Sequence, residues 1–211
     1  MSVLLLVEGK TDADVLTHLI RKAGIGDSAE FSVKSIGSYE KLRKDLDPEL
    51  LSRAYSRFGI IADTDANLAS RWQSLTSRLL EIEERSTKLF NTLPHAPDPD
   101  GTILQASTGR VVGIWLWPDN TSTGDLEAFA GTLTPREDSL WLHAQKVIGE
   151  LPERRFIPTH SNKAHIHTWL AWQDPPDQTI GTAIAKGNLR IDRDPANRLL
   201  AWLTKLKATT P

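Results

Sequence analysis

The chain has 211 residues, 39% hydrophobic and 25% charged, enough for one domain with a sizeable core or one domain with an elaborated end. A net charge of −2 excludes a polycation built to coat nucleic acid, and the absence of Cys excludes disulfides, thiolate zinc sites and a Cys nucleophile. No apolar run approaches the ~20 residues that span a bilayer, and Met1 to Val7 shows neither a basic leader nor a cleavage pattern. No membrane partner is therefore expected, and the expected compartment is cytoplasmic.

Val3 to Val7 is apolar and branched, the pattern of a strand covered on both faces. A helix is predicted from Thr11, with Asp14 as its acidic N3 residue, Val15, Leu16, Leu19 and Ile20 as its buried stripe, and Gly24 and Gly26 at its end. Phe31 to Ile36 alternates as a second strand, and Ser38 can cap a helix carrying Leu42, Leu46, Leu50 and Leu51. Phe58 to Ala62 is a third, fully apolar strand. The order βαβαβ implies an α/β fold with a mainly parallel central sheet and right-handed crossovers.

Farther on, Asn67 to about Phe90 is predicted as one long amphipathic helix with Leu68, Trp72, Leu75, Leu79 and Ile82 along one side. Leu93 to Gly101 reads as a loop, and Ile103 to Ala106 with Val111 to Trp117 as a hairpin added to the sheet. Helices are predicted over Leu126 to Phe129, Leu140 to Ile148 and Ala164 to Trp172, the last stopped by Asp174-Pro175-Pro176. The final helix runs from Pro195 to about Lys207 with Asp194 as its cap. The expected division is a core over 1–130 and a helical C-terminal elaboration over 131–211 packed on it as one compact domain.

The chemistry is concentrated in three acidic segments, each following an apolar run. They are Val7-Glu8-Gly9-Lys10-Thr11-Asp12, Ala62-Asp63-Thr64-Asp65, and Trp117-Pro118-Asp119-Asn120 followed by Gly124-Asp125-Leu126-Glu127. Ligands of open α/β sheets bind beyond the carboxyl ends of the strands. Glu8 follows the first strand, and in extended chain Asp63 and Asp65 point to the same side while Thr64 faces away. Carboxylates crowded in this way repel unless a cation joins them, and oxygen-only ligands suit Mg²⁺ or Mn²⁺. The alternative reading of Asp63 and Asp65 is as turn formers and helix caps. From Pro152 onward nine Lys or Arg stand against five Asp or Glu, a basic flank suited to a phosphate backbone or, equally, ordinary solvated surface.

Glu8 after strand one and Asp63-x-Asp65 after strand three resemble the Toprim fold of topoisomerases, bacterial primases, nucleases of the overcoming-lysogenisation-defect class and ribosomal-RNA maturation nucleases. The string Val7 to Asp12, Pro118-Asp119-Asn120, Gly124-x-Leu126-Glu127, Lys163-Ala164 and Trp169 to Gln173 is similar to that of a family of small stand-alone bacterial Toprim-like proteins. The resemblance implies Mg²⁺ on Glu8, Asp63 and Asp65, with Glu127 and Asp119 holding a second ion or a bridging water. It favours Glu127 over Asp125, which is left to cap the next helix. It also gives Glu8 and Lys163 catalytic roles, Lys163 stabilising transition-state charge or else standing as an exposed surface lysine.

Gly9-Lys10-Thr11 lacks the earlier Gly of a Walker motif, yet Gly9, Lys10 and the amides opening the helix could receive a phosphate. His165 and His167 lie two apart in a predicted helix and do not share a face, which disfavours zinc. The Trp pairs 115/117 and 169/172 fit core packing, with stacking on unpaired bases as the alternative. Tyr39 and Tyr55 lie inside the βα units, and strand passage would need a nucleophilic Tyr in a further domain. Primase activity would need modules for which there is no length. The expected function is metal-dependent hydrolysis of DNA or RNA, with an effector role in a defence or toxin-like system as its setting. The alternative is a non-catalytic module that binds nucleic acid or a neighbouring ATPase.

Overall fold

A computed structural model describes residues 2–210. In chain order the elements are β1 (Val3–Val7), α1 (Lys10–Ala23), β2 (Phe31–Ser35), α2 (Tyr39–Leu51), β3 (Arg57–Asp63), α3 (Leu68–Glu81), β4 (Glu83–Glu84) and β5 (Thr87–Lys88). They continue as β6 (Thr102–Gln105), β7 (Val111–Trp117), α4 (Leu126–Thr132), α5 (Ser139–Gly149), a 3₁₀ turn (Pro158–His160), α6 (Ser161–Ala171), α7 (Ile180–Lys186) and α8 (Ala196–Ala208). The main sheet has the order β2-β1-β3-β7-β6. Its pairs β1–β2, β1–β3 and β3–β7 are parallel, and β6 runs antiparallel to β7. The fold is thus α/β with a mainly parallel central sheet flanked by helices, with the hairpin at one edge.

Side chains alternate across this sheet, so each apolar strand feeds two cores. Leu5, Val7, Ile61, Trp115 and Trp117 face a layer made by α1, α4, α6, α7 and α8. Leu4, Leu6, Ile60, Ala62, Ile114 and Leu116 face α2 and α3. The C-terminal helices enter the first core through Trp202 of α8, fully buried and 5.8 Å ring to ring from Trp115. Glycines make room for that ring. A Cβ on Gly113 would fall 2.7 Å from Trp202, and one on Gly101, at φ +89, would fall 2.3 Å from it.

Several boundaries differ from the sequence expectation. Helix α1 begins at Lys10, one residue early, with Gly9 as N-cap and Asp12, not Asp14, at N3. Helix α3 stops at Glu81, short of Phe90: Ile82 turns extended, and Arg85 and Ser86 take φ +53 and +69 as the turn of the β4–β5 hairpin. Ile82 fits the helical stripe and so extends the apparent period past the real end, while Leu89 and Phe90 reach the core from the hairpin. Helix α8 takes Pro195 as its N-cap, and Asp194 instead lies 3.9 Å from Arg198. Helix α7, capped by Thr179 and closed by Gly187 at φ +89, is too short and too rich in small residues to show a periodic stripe. Trp115, Trp117 and Trp169 are core residues, whereas Trp172 is 39% exposed. Among the described residues no helix is long and apolar enough to cross a membrane.

Candidate functional site

Because β1, β3 and β7 are adjacent and parallel, their carboxyl ends reach one rim of the sheet. Glu8 immediately follows β1, and its Oε1 accepts a 3.0 Å hydrogen bond from the Asp63 amide at the end of β3. Asp63 in turn accepts through Oδ1 from the Leu126 amide at 3.1 Å, which ties β3 to the first turn of α4. Asp125 caps α4 through the Ala128 amide at 2.8 Å and also accepts from Asn162 Nδ2 of α6 at 3.1 Å. Glu127, 8% exposed, faces Lys163 Nζ at 3.2 Å.

A fifth carboxylate joins them. Asp12, 7% exposed, accepts from the Gly9 amide at 3.1 Å through one oxygen and from the Trp117 indole at 2.9 Å through the other. The signal for it lay in the same acidic segment as Glu8, one helical turn on, but a helix start placed too late moved it out of the N3 position.

The electrostatic result is a shortage of positive charge. Burial, followed by the charges of Asp12, Glu8, Asp125 and Glu127, pushes Asp63 up to about 8, so in the cation-free protein it carries a proton at neutral pH. Burial also raises Glu8, against the opposing Asp63 hydrogen bond and the Arg71 charge. It raises Asp12 despite the Trp117 hydrogen bond, and Asp125 despite the Ala128 amide. Among the described residues, however, no three Asp, Glu or His side chains stand spaced to close on one cation as they are. Glu8 is engaged by an amide and Glu127 by a lysine, so a cation would have to displace those contacts.

Other expected site residues have partners of their own, although the Asp65 charge still reaches Glu8 and helps raise it. Asp65 sits beyond the end of β3 at φ +50, so extended-chain spacing no longer aims it with Asp63. Its largely exposed carboxylate pairs with Arg71, whose guanidinium lies 3.6 Å from the centre of the Tyr39 ring. Asp119 is taken up by its own loop, accepting from the Thr121 and Ser122 amides at 2.9 and 2.7 Å and from both hydroxyls. Burial works against its charge, but those donors outweigh it and hold the carboxyl below the usual aspartate range. Gly9 spends its amide on Asp12, and Lys10 is exposed on the first turn of α1.

The Thr64 side chain has a structural task, bonded to the backbone of the loop before α4. Its hydroxyl, 1% exposed, accepts from the Gly124 amide at 2.6 Å and lies 2.9 Å from the Trp117 carbonyl. The Gly124 carbonyl accepts from the Thr64 and Asp65 amides at 3.1 and 2.9 Å. This clasp fixes the loop that delivers Asp125 and Glu127 to the rim.

A comparison with curated protein sequences gives no match. Among solved structures, the C-terminal region of the OLD protein of Xanthomonas campestris pv. campestris aligns over 98% of this chain and 95% of its own at 22% identity and a TM-score of 0.42. A second structure of that region aligns over 99% and 85% at 19% identity and a TM-score of 0.35. The family model described as "Protein of unknown function (DUF3226)" matches residues 2–208, and the chain belongs to that family.

Proposed function

We propose that this chain is a Toprim-like, divalent-metal-dependent nuclease that hydrolyses phosphodiester bonds of DNA or RNA. The observation that supports it best is the meeting of Glu8, Asp12, Asp63, Asp125 and Glu127 at the carboxyl rim of three parallel strands, where burial and then the neighbouring carboxylates raise Asp63. The donor set is oxygen only, which fits Mg²⁺ or Mn²⁺ and not a soft metal. Glu8 and Asp63 would hold the first ion, and Glu127 a second. Asp65 and Asp119 would join only by giving up Arg71 and the Thr121–Ser122 loop. Bound there, a divalent cation supplies Lewis acidity toward a phosphoryl oxygen and a more acidic water.

The chain's own residues would do the rest. Lys163, released from Glu127, is placed to meet negative charge on a phosphate beside that carboxylate. Asn162 and the Leu126 amide fix Asp125 and Asp63 with respect to α4. The test is cleavage of single- and double-stranded DNA and RNA with Mg²⁺ or Mn²⁺. Activity that requires the metal and is lost in Glu8→Gln supports the reading; no cleavage of any of the four substrates with either metal overturns it.

One observation favours a second reading. Each carboxylate already has an internal hydrogen-bond or ionic partner, as a purely structural network would. In that case the chain is a non-catalytic module for nucleic acid or for an ATPase partner. Nucleic-acid binding without turnover, unchanged in Asp63→Asn, would be its signature.

A further inference from the structure

Two hollows flank the carboxylate rim and share Asn162 as a wall. One, about 350 Å³, is lined by Asp65, Gly124, Asp125, Thr159, Ser161 and Asn162. The other, about 300 Å³, is lined by Glu127, Gly131, Trp141, Gln145, Asn162 and His165. The first carries the Asp65 and Asp125 carboxylates and no Lys or Arg among its lining residues. The second has aromatic walls: Trp141 lies against Gly131, where a Cβ would fall 3.0 Å from the ring, and its ring centre is 6.3 Å from His165, edge to face. Trp141 and His165 are both half-buried, and Gln145 is exposed. Trp141 therefore differs from the four Trp side chains that are fully buried in the core.

From the second hollow we infer that the substrate enters as a single strand, with one unstacked base seated between Trp141, His165 and Gln145 and the phosphate beside it turned toward Lys163. The inference rests on the nuclease reading for its substrate class and goes beyond it in excluding an intact duplex. The size of the second hollow is at the small end of ligand sites, large enough for one nucleobase and too small for a base pair. A base inside a helix has both faces covered by its neighbours, so it reaches an aromatic wall only after leaving the stack. The remaining lining suits a base edge: the Gln145 and Asn162 amides each offer a donor and an acceptor. Glu127, with Lys163 beside it, lines this same hollow, so a seated base puts its neighbouring phosphate close to the carboxylate rim.

The test is fluorescence anisotropy of the full chain with a labelled 12-nucleotide single strand of mixed sequence and with the same sequence as a duplex, in Ca²⁺ so that binding is read apart from Mg²⁺-dependent cleavage. The single strand is expected to bind at least tenfold more tightly. Trp141→Leu keeps apolar contact with Gly131 but removes the aromatic face, and it should weaken single-strand binding by about tenfold, within the range measured for loss of one stacked base. Duplex binding should not change. Gln145→Ala alters only an exposed side chain, so it carries the test if Trp141→Leu does not fold; it should weaken the single strand alone. Equal affinity for the two substrates, or variants that fold and bind the single strand as the parent does, overturns the inference. Duplex-selective binding with metal-dependent cleavage intact removes the base pocket and leaves the nuclease reading. Single-strand binding without cleavage does the reverse.

Discussion

Replacing Asp63 by Asn should make the cation-free protein more stable at alkaline pH. Asn keeps an oxygen for the Leu126 amide but cannot ionise. In the parent, Asp63 binds its proton far more tightly in the fold than in the unfolded chain, about 8 against an ordinary 3.8. The stabilising contribution of that proton is complete below the unfolded value and disappears as pH rises through about 8. From pH 5 to pH 8 the ceiling is about 3 units at about 1.4 kcal/mol each, or about 4 kcal/mol. Relaxation around the ionised carboxylate and proton sharing among its neighbours reduce this, so about 2 kcal/mol is the expected loss. Urea unfolding of both proteins in EDTA at pH 5 and pH 8 measures it. The parent should lose about 2 kcal/mol more than Asp63→Asn over that interval. A difference under about 0.5 kcal/mol would refute the raising of Asp63 by burial and by the carboxylates around it.

Mg²⁺ should raise the thermal midpoint of the parent, by the equivalent of about 2.7 kcal/mol at a concentration one hundred times the dissociation constant, and should do so more strongly at pH 8 than at pH 6 because it displaces the Asp63 proton. Calorimetry of Glu8→Gln should show little of that gain. Lys163→Met should lower cleavage by about 100-fold or more, and because it leaves the nearly buried Glu127 carboxylate without its lysine it should also lower the thermal midpoint of the metal-free protein. Thr64→Val leaves the half-buried Gly124 amide unpaired and should cost about 1–3 kcal/mol by urea unfolding. Gly113→Ala drives a methyl group to within 2.7 Å of the Trp202 ring and should cost a similar 1–3 kcal/mol.

The sheet was legible in the sequence because its strands are short, continuous apolar runs. Buried on both faces, Val3–Val7 and Val111–Trp117 leave no competing helical reading of comparable length. The end of α3 was not, because Ile82 satisfies the helical stripe and the left-handed turn at Arg85 and Ser86 uses residues with no marked preference for it. Helix α7 carries its information in small residues: a Cβ on Gly181 would come within 2.3 Å of Asp14, so it is fixed by packing on α1 and not by a stripe of its own. Within the site, the order of the strands explains what spacing alone could tell. Glu8 and Asp63 end neighbouring strands and must be close. The aim of Asp65 depends on a single φ angle past the strand end, and that of Asp119 on donors two and three residues ahead of it. Asp12 needed the helix start placed to within one residue, which composition does not supply.

The most direct measurement is a crystal structure of the protein soaked in Mn²⁺, with the ion located by its anomalous scattering. Expected is density between Glu8 and Asp63 at the carboxyl rim, with the Glu8 side chain withdrawn from the Asp63 amide and a second peak beside Glu127. No Mn²⁺ at the rim at millimolar concentration, with Glu8 still on that amide and Lys163 still on Glu127, would contradict a metal site there.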